Sequence, residues 1–320
     1  MHRGNKGKSK ESGGGKRKRP PRGELDSFHG DPPSYDSLIG KKISRRYVIQ
    51  ALLYESSMGN TYLALDEKEN KKVAVKFLEG PVFMDGLSVK EITARFNIVH
   101  GNVAEVTDMG LYKDDVYFVR EYVDGKSLNE FIGDGKRLPW GEVRPIILQA
   151  CDAFQAVHEQ GFMHRSLKPT NIMLTQGNVV KVLGFEFARK IPRKAGESHE
   201  EAGRSRFRIS HVVGVLSTIA PEQLTGKKYD YDHRVDVYAL GSIMYRMLCG
   251  SYPFIGDEKG VKYEKIFAER PELPSERAPD IGIPKDVEDL VMWCLKKDPE
   301  KRPQSMTELK QAILECNAKD

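Results

Sequence analysis

One change of rhythm along the 320-residue chain limits what it can fold into. From Arg46 to Leu78 apolar and polar residues alternate, and KKVAVKFL (Lys71–Leu78) is rich in valine. A period of two sends successive side chains to opposite faces of a strand, so this stretch predicts a small antiparallel sheet. Val116–Val123 predicts a further strand. Between them Val89, Ile92 and Phe96 fall at three- and four-residue spacings, which predicts a helix over Leu87–Val99. After Pro139 the period lengthens. Ile146, Ile147, Ala150, Phe154 and Val157 form one apolar stripe ending near Gly161, and Asp236–Cys249 and Asp286–Leu295 predict further helices. Strands first and helices later, with no internal repeat, predict an α+β protein of two unequal lobes. The small antiparallel-sheet lobe with its one helix is expected over residues 39–122, and the larger, mainly helical lobe over residues 123–320.

The net charge of +5 is unevenly spread. Residues 1–22 hold nine Lys or Arg against Glu11 alone, a net +8, so the rest of the chain sums to −3. This first stretch is rich in Gly and poor in apolar residues, too few to offset the ordering entropy of a fold. Residues 1–38 are therefore expected to form a disordered basic arm. KRKRPPR (Lys16–Arg22) has the charge to neutralise phosphates of nucleic acid or of an anionic surface, and it equally suits a solubilising tail. No apolar run nears the roughly 18 residues that cross a bilayer. The start, MHRGNKGKSK, lacks the apolar stretch of a secretory signal, so a cytoplasmic location is expected. Cys151, Cys249, Cys294 and Cys316 are widely spaced with no CxxC pair, and are expected to be buried thiols.

Seven short strings follow one another in order. VAVK ends in Lys76, and Glu91 lies on the helix expected after it. Then come EYVDGKSL (Glu121–Leu128), MHRSLKPTN (Met163–Asn171), VKVLGFEFA (Val180–Ala188), APE (Ala220–Glu222), DVYALG (Asp236–Gly241) and DPEKRP with Arg302. In this order they resemble the protein kinase family, closest in flavour to bacterial serine/threonine kinases, over roughly Ile39–Lys319. The resemblance implies a bilobal kinase domain with a nucleotide pocket between the lobes. It implies that Lys76 and Glu91 form the ion pair that orients phosphates, that Gly59 belongs to the loop above them, and that Glu121 and Val123 form the hinge beside the adenine. His164, Arg165, Lys168 and Asn171 match the catalytic loop. Glu222 and Arg302 match the pair that ties the activation segment to the large lobe. Asp236 matches the acid that opens the buried central helix, and Tyr252–Phe254 the turn after it.

The positions that carry chemistry depart from this pattern. Phosphoryl transfer requires held phosphates, metal ions that neutralise them and a base that orients the acceptor hydroxyl. Where the family has its catalytic aspartate this chain has Ser166, which has no carboxylate. A positioned base typically contributes about 10²–10⁴-fold. Where the family has its metal-binding aspartate the chain has Gly184, although Mg²⁺ is usually held through one or two carboxylates. Asn171 and Glu186, the latter two residues late on the same face of an extended chain, are the remaining metal candidates. The three glycine positions of the phosphate loop read Tyr54, Ser56 and Gly59. Arg120 occupies the gatekeeper position on a face shared with Phe118, and Glu91 and Glu186 are its candidate partners.

Structural positions kept and chemical positions lost imply a pseudokinase, a scaffold or allosteric signalling partner of another protein, such as a kinase or phosphoprotein. Two alternatives stay open: a working or weakly working ATP-dependent serine/threonine kinase that uses substitute residues, and a nucleic-acid-binding protein acting through its basic arm. ATP is expected to bind weakly or not at all, and Mg²⁺ is not expected to help. The segment from Gly184 to Glu222 carries Arg189, Lys190, Arg193, Lys194, Arg204, Arg206 and Arg208. Such a strip suits an acidic or phosphorylated partner, or solvent.

Overall fold

The alternating stretch around Lys71–Leu78 becomes the middle of a six-stranded antiparallel sheet. The computed structural model describes residues 38–56, 59–78, 98–113, 115–185, 188–191, 216–224, 231–267 and 270–316. Most of the expected helix over Leu87–Val99 and the arm through residue 37 lie outside them. The strands are β1 (Lys42–Ile43), β2 (Tyr47–Tyr54), β3 (Thr61–Asp66), β4 (Lys71–Leu78), β5 (Val106–Tyr112) and β6 (Asp115–Glu121), in the order β1-β2-β3-β4-β6-β5. The strand expected to run to Val123 stops at Glu121.

Register decides which side chains share a face, because directly paired residues of antiparallel strands point the same way. Thr61 pairs with Lys76, Lys76 with Phe118, and Ala74 with Arg120. These five therefore share one face. Tyr62, Val75, Phe77, Tyr117 and Val119 share the other, and all five are buried. Aromatic contacts fill that second face, with Tyr62–Phe77 and Phe77–Tyr117 ring centroids 5.8 Å apart. Such pairs add about 0.5–1.5 kcal/mol each beyond their burial. Gly59 lies against the same strand at φ +115, where an added Cβ would meet the Phe77 carbonyl oxygen at 1.9 Å. Only glycine fits there.

The larger lobe contains β7 (Gly125–Ser127), α1 (Leu128–Ile132), α2 (Trp140–Glu159), β8 (Phe162–Met163), β9 (Ile172–Thr175), β10 (Val180–Val182) and β11 (Arg189–Lys190). Helices α3 (Pro221–Leu224), α4 (Arg234–Cys249), α5 (Glu258–Phe267), α6 (Pro274–Arg277), α7 (Lys285–Cys294) and α8 (Met306–Glu315) follow. Every residue of α4 from Val235 to Cys249 is buried. A helix enclosed all round belongs at the centre of a core, and α2 and α7 pack on it. The apolar stripe read after Pro139 is the buried face of α2, which includes Ile146, Ile147, Ala150, Phe154 and Val157. The architecture is the expected α+β, bilobal one. The four cysteines are free and buried, and burial pushes the Cys249 thiol up to about 12, so it stays protonated at neutral pH. Among the described residues no helix is long and apolar enough to cross a membrane.

Candidate active site

The Lys76 face of the sheet and the loops of the larger lobe enclose a cleft of about 510 Å³. Its roof is Ala74 and Lys76 from β4 with Arg120 from β6, and Glu121, Tyr122 and Val123 run along its back. Leu53, Tyr54 and Ser56 stand at the mouth, with Tyr54 50% exposed. The floor is Arg165, Ser166, Lys168 and Asn171 from the loop after β8, with Leu183 and Gly184 from the turn after β10. Most residues singled out in the sequence therefore converge. Gly59 is not among the described residues that line the cleft; its N–H donates to the Ser56 carbonyl oxygen at 3.0 Å, and the Ser56 hydroxyl donates to its carbonyl oxygen at 2.7 Å. His164 is fully buried behind the floor. Glu91 and Glu186 lie outside the described residues, and with them the expected ion pair to Lys76 and the expected partners of Arg120.

The floor loop is held by one buried carboxylate. Asp236, at the start of α4, is completely enclosed. Its Oδ2 accepts from the His164 N–H at 2.8 Å and is 2.9 Å from His158 Nε2, while its Oδ1 accepts from the Arg165 N–H at 2.8 Å. These bonds hold Arg165 at φ +68, a left-handed conformation uncommon for a side-chain-bearing residue. Burial alone would raise the Asp236 carboxyl, but the bonds from His158 and His164 outweigh it and hold the group below the usual carboxylate range.

His164 joins this loop to the turn after β10. Its Nδ1 accepts from the Ser166 N–H at 3.3 Å, which leaves Nε2 to donate to the Leu183 carbonyl oxygen at 2.9 Å. One neutral tautomer satisfies both bonds. Gly184 follows at φ +95, where an added Cβ would meet His164 Nε2 at 2.9 Å and Asn171 Nδ2 at 3.0 Å. The Asn171 amide donates to the Ser166 carbonyl oxygen at 3.3 Å. Phe185 then packs edge-on to Phe154 and His164 in the core.

The cleft is rich in cations. Lys76, Arg120, Arg165 and Lys168 all line it, and burial pushes the Lys168 ammonium below its ordinary value. Its described carboxylates are Glu121 and Glu130, and both are engaged. Glu121 Oε2 is 2.8 Å from Lys181 Nζ. Glu130 accepts from the Ser127 hydroxyl and N–H in the capping box of α1, and these bonds hold its carboxyl below the usual range. Among the described residues no group of three His, Cys, Asp or Glu could hold a metal ion. At the floor the described side-chain donors are the Ser166 hydroxyl and the Asn171 amide, whose Nδ2 is the atom bonded to backbone, while the other metal candidate, Glu186, lies outside the described residues.

Glu222 and Arg302 form the pair that the sequence implied. The guanidinium is buried and donates bidentately at 2.7 and 2.8 Å. Arg189, counted within a basic strip, is a correction: it is 7% exposed, because β11 pairs with β8 and draws it into the lobe. Lys190 is exposed, and the remaining basic residues of that strip lie outside the described residues. Three contributors were missed from the sequence: His158, Thr218 and Lys265. His158 follows Phe154 by four residues on the stripe of α2, which was a usable signal. Nothing in the local pattern marked the other two.

A curled antiparallel sheet over a helical lobe, with the cleft between them floored by the His164–Asn171 loop, is the architecture of a protein kinase domain. The chain belongs to the protein kinase domain family, whose model matches residues 47–313. It is similar to the serine/threonine-protein kinase pkn3 of Myxococcus xanthus, 33% identical over 282 residues that cover 85% of this chain and 50% of that protein. It is also similar to the serine/threonine-protein kinase PknB of Mycobacterium leprae, 31% identical over 285 residues, 86% of this chain and 44% of that protein. PknB of Mycolicibacterium smegmatis is 32% identical over 282 residues, 85% of this chain and 43% of that protein. The chain thus spans about half or less of the length of these curated relatives.

Proposed function

We propose that this kinase domain is a pseudokinase that works by binding a protein partner, a kinase or a phosphoprotein, in the cytoplasm. The observation that carries this reading is the donor set of the cleft. Gly184 and Ser166 stand where a metal carboxylate and a base are needed, and Glu121 and Glu130 are already bonded to Lys181 and Ser127. Loss of the base alone removes about 10²–10⁴-fold of rate. Loss of the metal carboxylate leaves nucleotide phosphates to be neutralised by Lys76, Arg120 and Lys168, which favours weak binding that ignores Mg²⁺. The net +8 of residues 1–22 adds attraction to nucleic acid or another anionic surface.

A second reading, a weakly active serine/threonine kinase, is favoured by one observation: Lys76, Lys168 and Asn171 line the same cleft. Thermal unfolding with ATP, with Mg²⁺ and with both separates the two, beside an assay of phosphate transfer to generic protein substrates. Ligand at about 100 times its Kd stabilises by roughly 2.7 kcal/mol. The pseudokinase reading expects a far smaller gain at millimolar ATP, equal with and without Mg²⁺, and transfer at background. A Mg²⁺-dependent rise in Tm, with transfer abolished by Lys76→Ala, establishes the active kinase instead.

A further inference from the structure

Helix α5 carries a lysine that does not face water. Lys265 is 0% exposed, and its Nζ donates to the carbonyl oxygens of Ser217 at 2.9 Å and Ile219 at 2.7 Å. Lysine usually keeps its nitrogen in water while its stem lies on apolar surface, so full enclosure calls for specific partners. On its other side the same segment meets the cleft floor. The buried Thr218 hydroxyl donates to the Leu167 carbonyl oxygen at 2.5 Å, and Leu167 lies between Ser166 and Lys168. Ile219 itself lines the cleft. Gln223 adds a second tie, accepting from the Ala220 N–H at 3.0 Å and donating to the Arg165 carbonyl oxygen at 3.1 Å.

We propose that Lys265 is a positioning residue that couples helix α5 to the floor of the cleft: it clamps the Ser217–Ile219 backbone and, through Thr218 and Leu167, sets where Ser166 and Lys168 stand. The proposal holds whichever reading of the cleft is correct, because it concerns the backbone under the cleft and not the chemistry above it.

The clamp has a pH dependence of definite sign. The groups facing Lys265 are the Glu222 carboxylate from α3 and the Tyr238 ring from α4, whose centroid is 5.3 Å from Nζ, with Arg302 over the same ring. Burial pushes the Tyr238 hydroxyl further up, so it stays neutral near pH 7. Burial pushes the Lys265 ammonium down to about 7, against the pull of Glu222. In the opened clamp the nitrogen returns to water and to an ordinary lysine value. The open form therefore binds the proton more tightly, and opening becomes easier as pH falls. Between pH 8 and pH 6 the open population rises about tenfold by this linkage. Above pH 7 the neutral amine still has two N–H bonds for the two carbonyls.

Hydrogen exchange read by mass spectrometry on the full chain tests this in the unmodified protein, Lys265→Met and Lys265→Arg. In Lys265→Met, peptides covering residues 216–220 and 164–171 are expected to exchange at least about tenfold faster, with α2 and α4 unchanged. In the unmodified protein the same two peptides, corrected for intrinsic exchange, are expected to open about tenfold more at pH 6 than at pH 8. Lys265→Met loses that pH effect. Lys265→Arg, permanently charged, exchanges fast at both values. A folded Lys265→Met variant that loosens 216–220 but leaves 164–171 unchanged overturns the coupling. A folded Lys265→Met variant in which neither peptide loosens overturns the clamp. The absence of a pH effect in the unmodified protein overturns the link between clamp opening and proton uptake by Lys265, a comparison that needs no variant to fold.

Discussion

Asp236→Asn changes a single atom at the joint that holds the cleft floor. The aspartate is fully buried and receives three donors, two on Oδ2 and one on Oδ1. Asparagine keeps the shape but turns one of those oxygens into an NH₂ group. Facing the amide nitrogen toward Arg165 orphans one backbone N–H, while facing it toward His164 opposes two donors, so the first orientation wins. An orphaned buried N–H costs about 1–3 kcal/mol. The two surviving bonds also lose their charge assistance, falling from about 1.5–3 to about 0.5–1.5 kcal/mol each. The loss comes to about 3–6 kcal/mol, a large share of the 5–15 kcal/mol typical of a domain. Urea unfolding at pH 7, followed by Trp140 and Trp293 fluorescence, is expected to show a lower midpoint with an unchanged m value. The carboxyl is depressed in the fold, so its contribution is present above its unfolded pKa and is lost as pH falls through the folded value. The gap between the two proteins therefore narrows in acid below about pH 4. A loss under about 1 kcal/mol at pH 7, or a gap that persists undiminished in acid, would refute the view that this carboxylate bears the loop.

Glu222→Gln leaves the buried Arg302 guanidinium without its counter-charge, and is expected to cost about 3–5 kcal/mol in the same urea assay. Ser127→Ala removes the capping box of α1 and is expected to cost about 0.5–2 kcal/mol by urea unfolding. Gly184→Asp places a side chain at φ +95 against His164 and Asn171, and is expected to lower stability by about 1–2 kcal/mol in thermal unfolding. Ser166→Asp and Gly184→Asp together are expected to leave phosphate transfer at background, because Tyr54 and Arg120 still line the cleft; recovered transfer above background counts against that view.

The alternation before Leu78 and the stripe after Pro139 determined the two lobes, because a period of two or of three to four lies in the covalent order and needs no partner to be read. The ordered strings likewise located the cleft: Lys76, Arg120, Ser166, Lys168, Asn171 and Gly184 come from distant parts of the chain and all line it. The sequence alone also gives the residue types at two of those positions, serine at 166 and glycine at 184. Which charges meet water was decided only by the tertiary structure. Arg189 read as part of a solvated strip, yet β11 pairs with β8 and buries it. For Gly59 only the structure showed that its missing Cβ lets the chain approach the Phe77 carbonyl. Lys265 shares a short helix with other charged residues, and its ammonium is placed against carbonyls supplied from near residue 217. Burial of a polar group depends on partners brought from elsewhere in the chain, and a local pattern records the residue without recording what the fold sets against it.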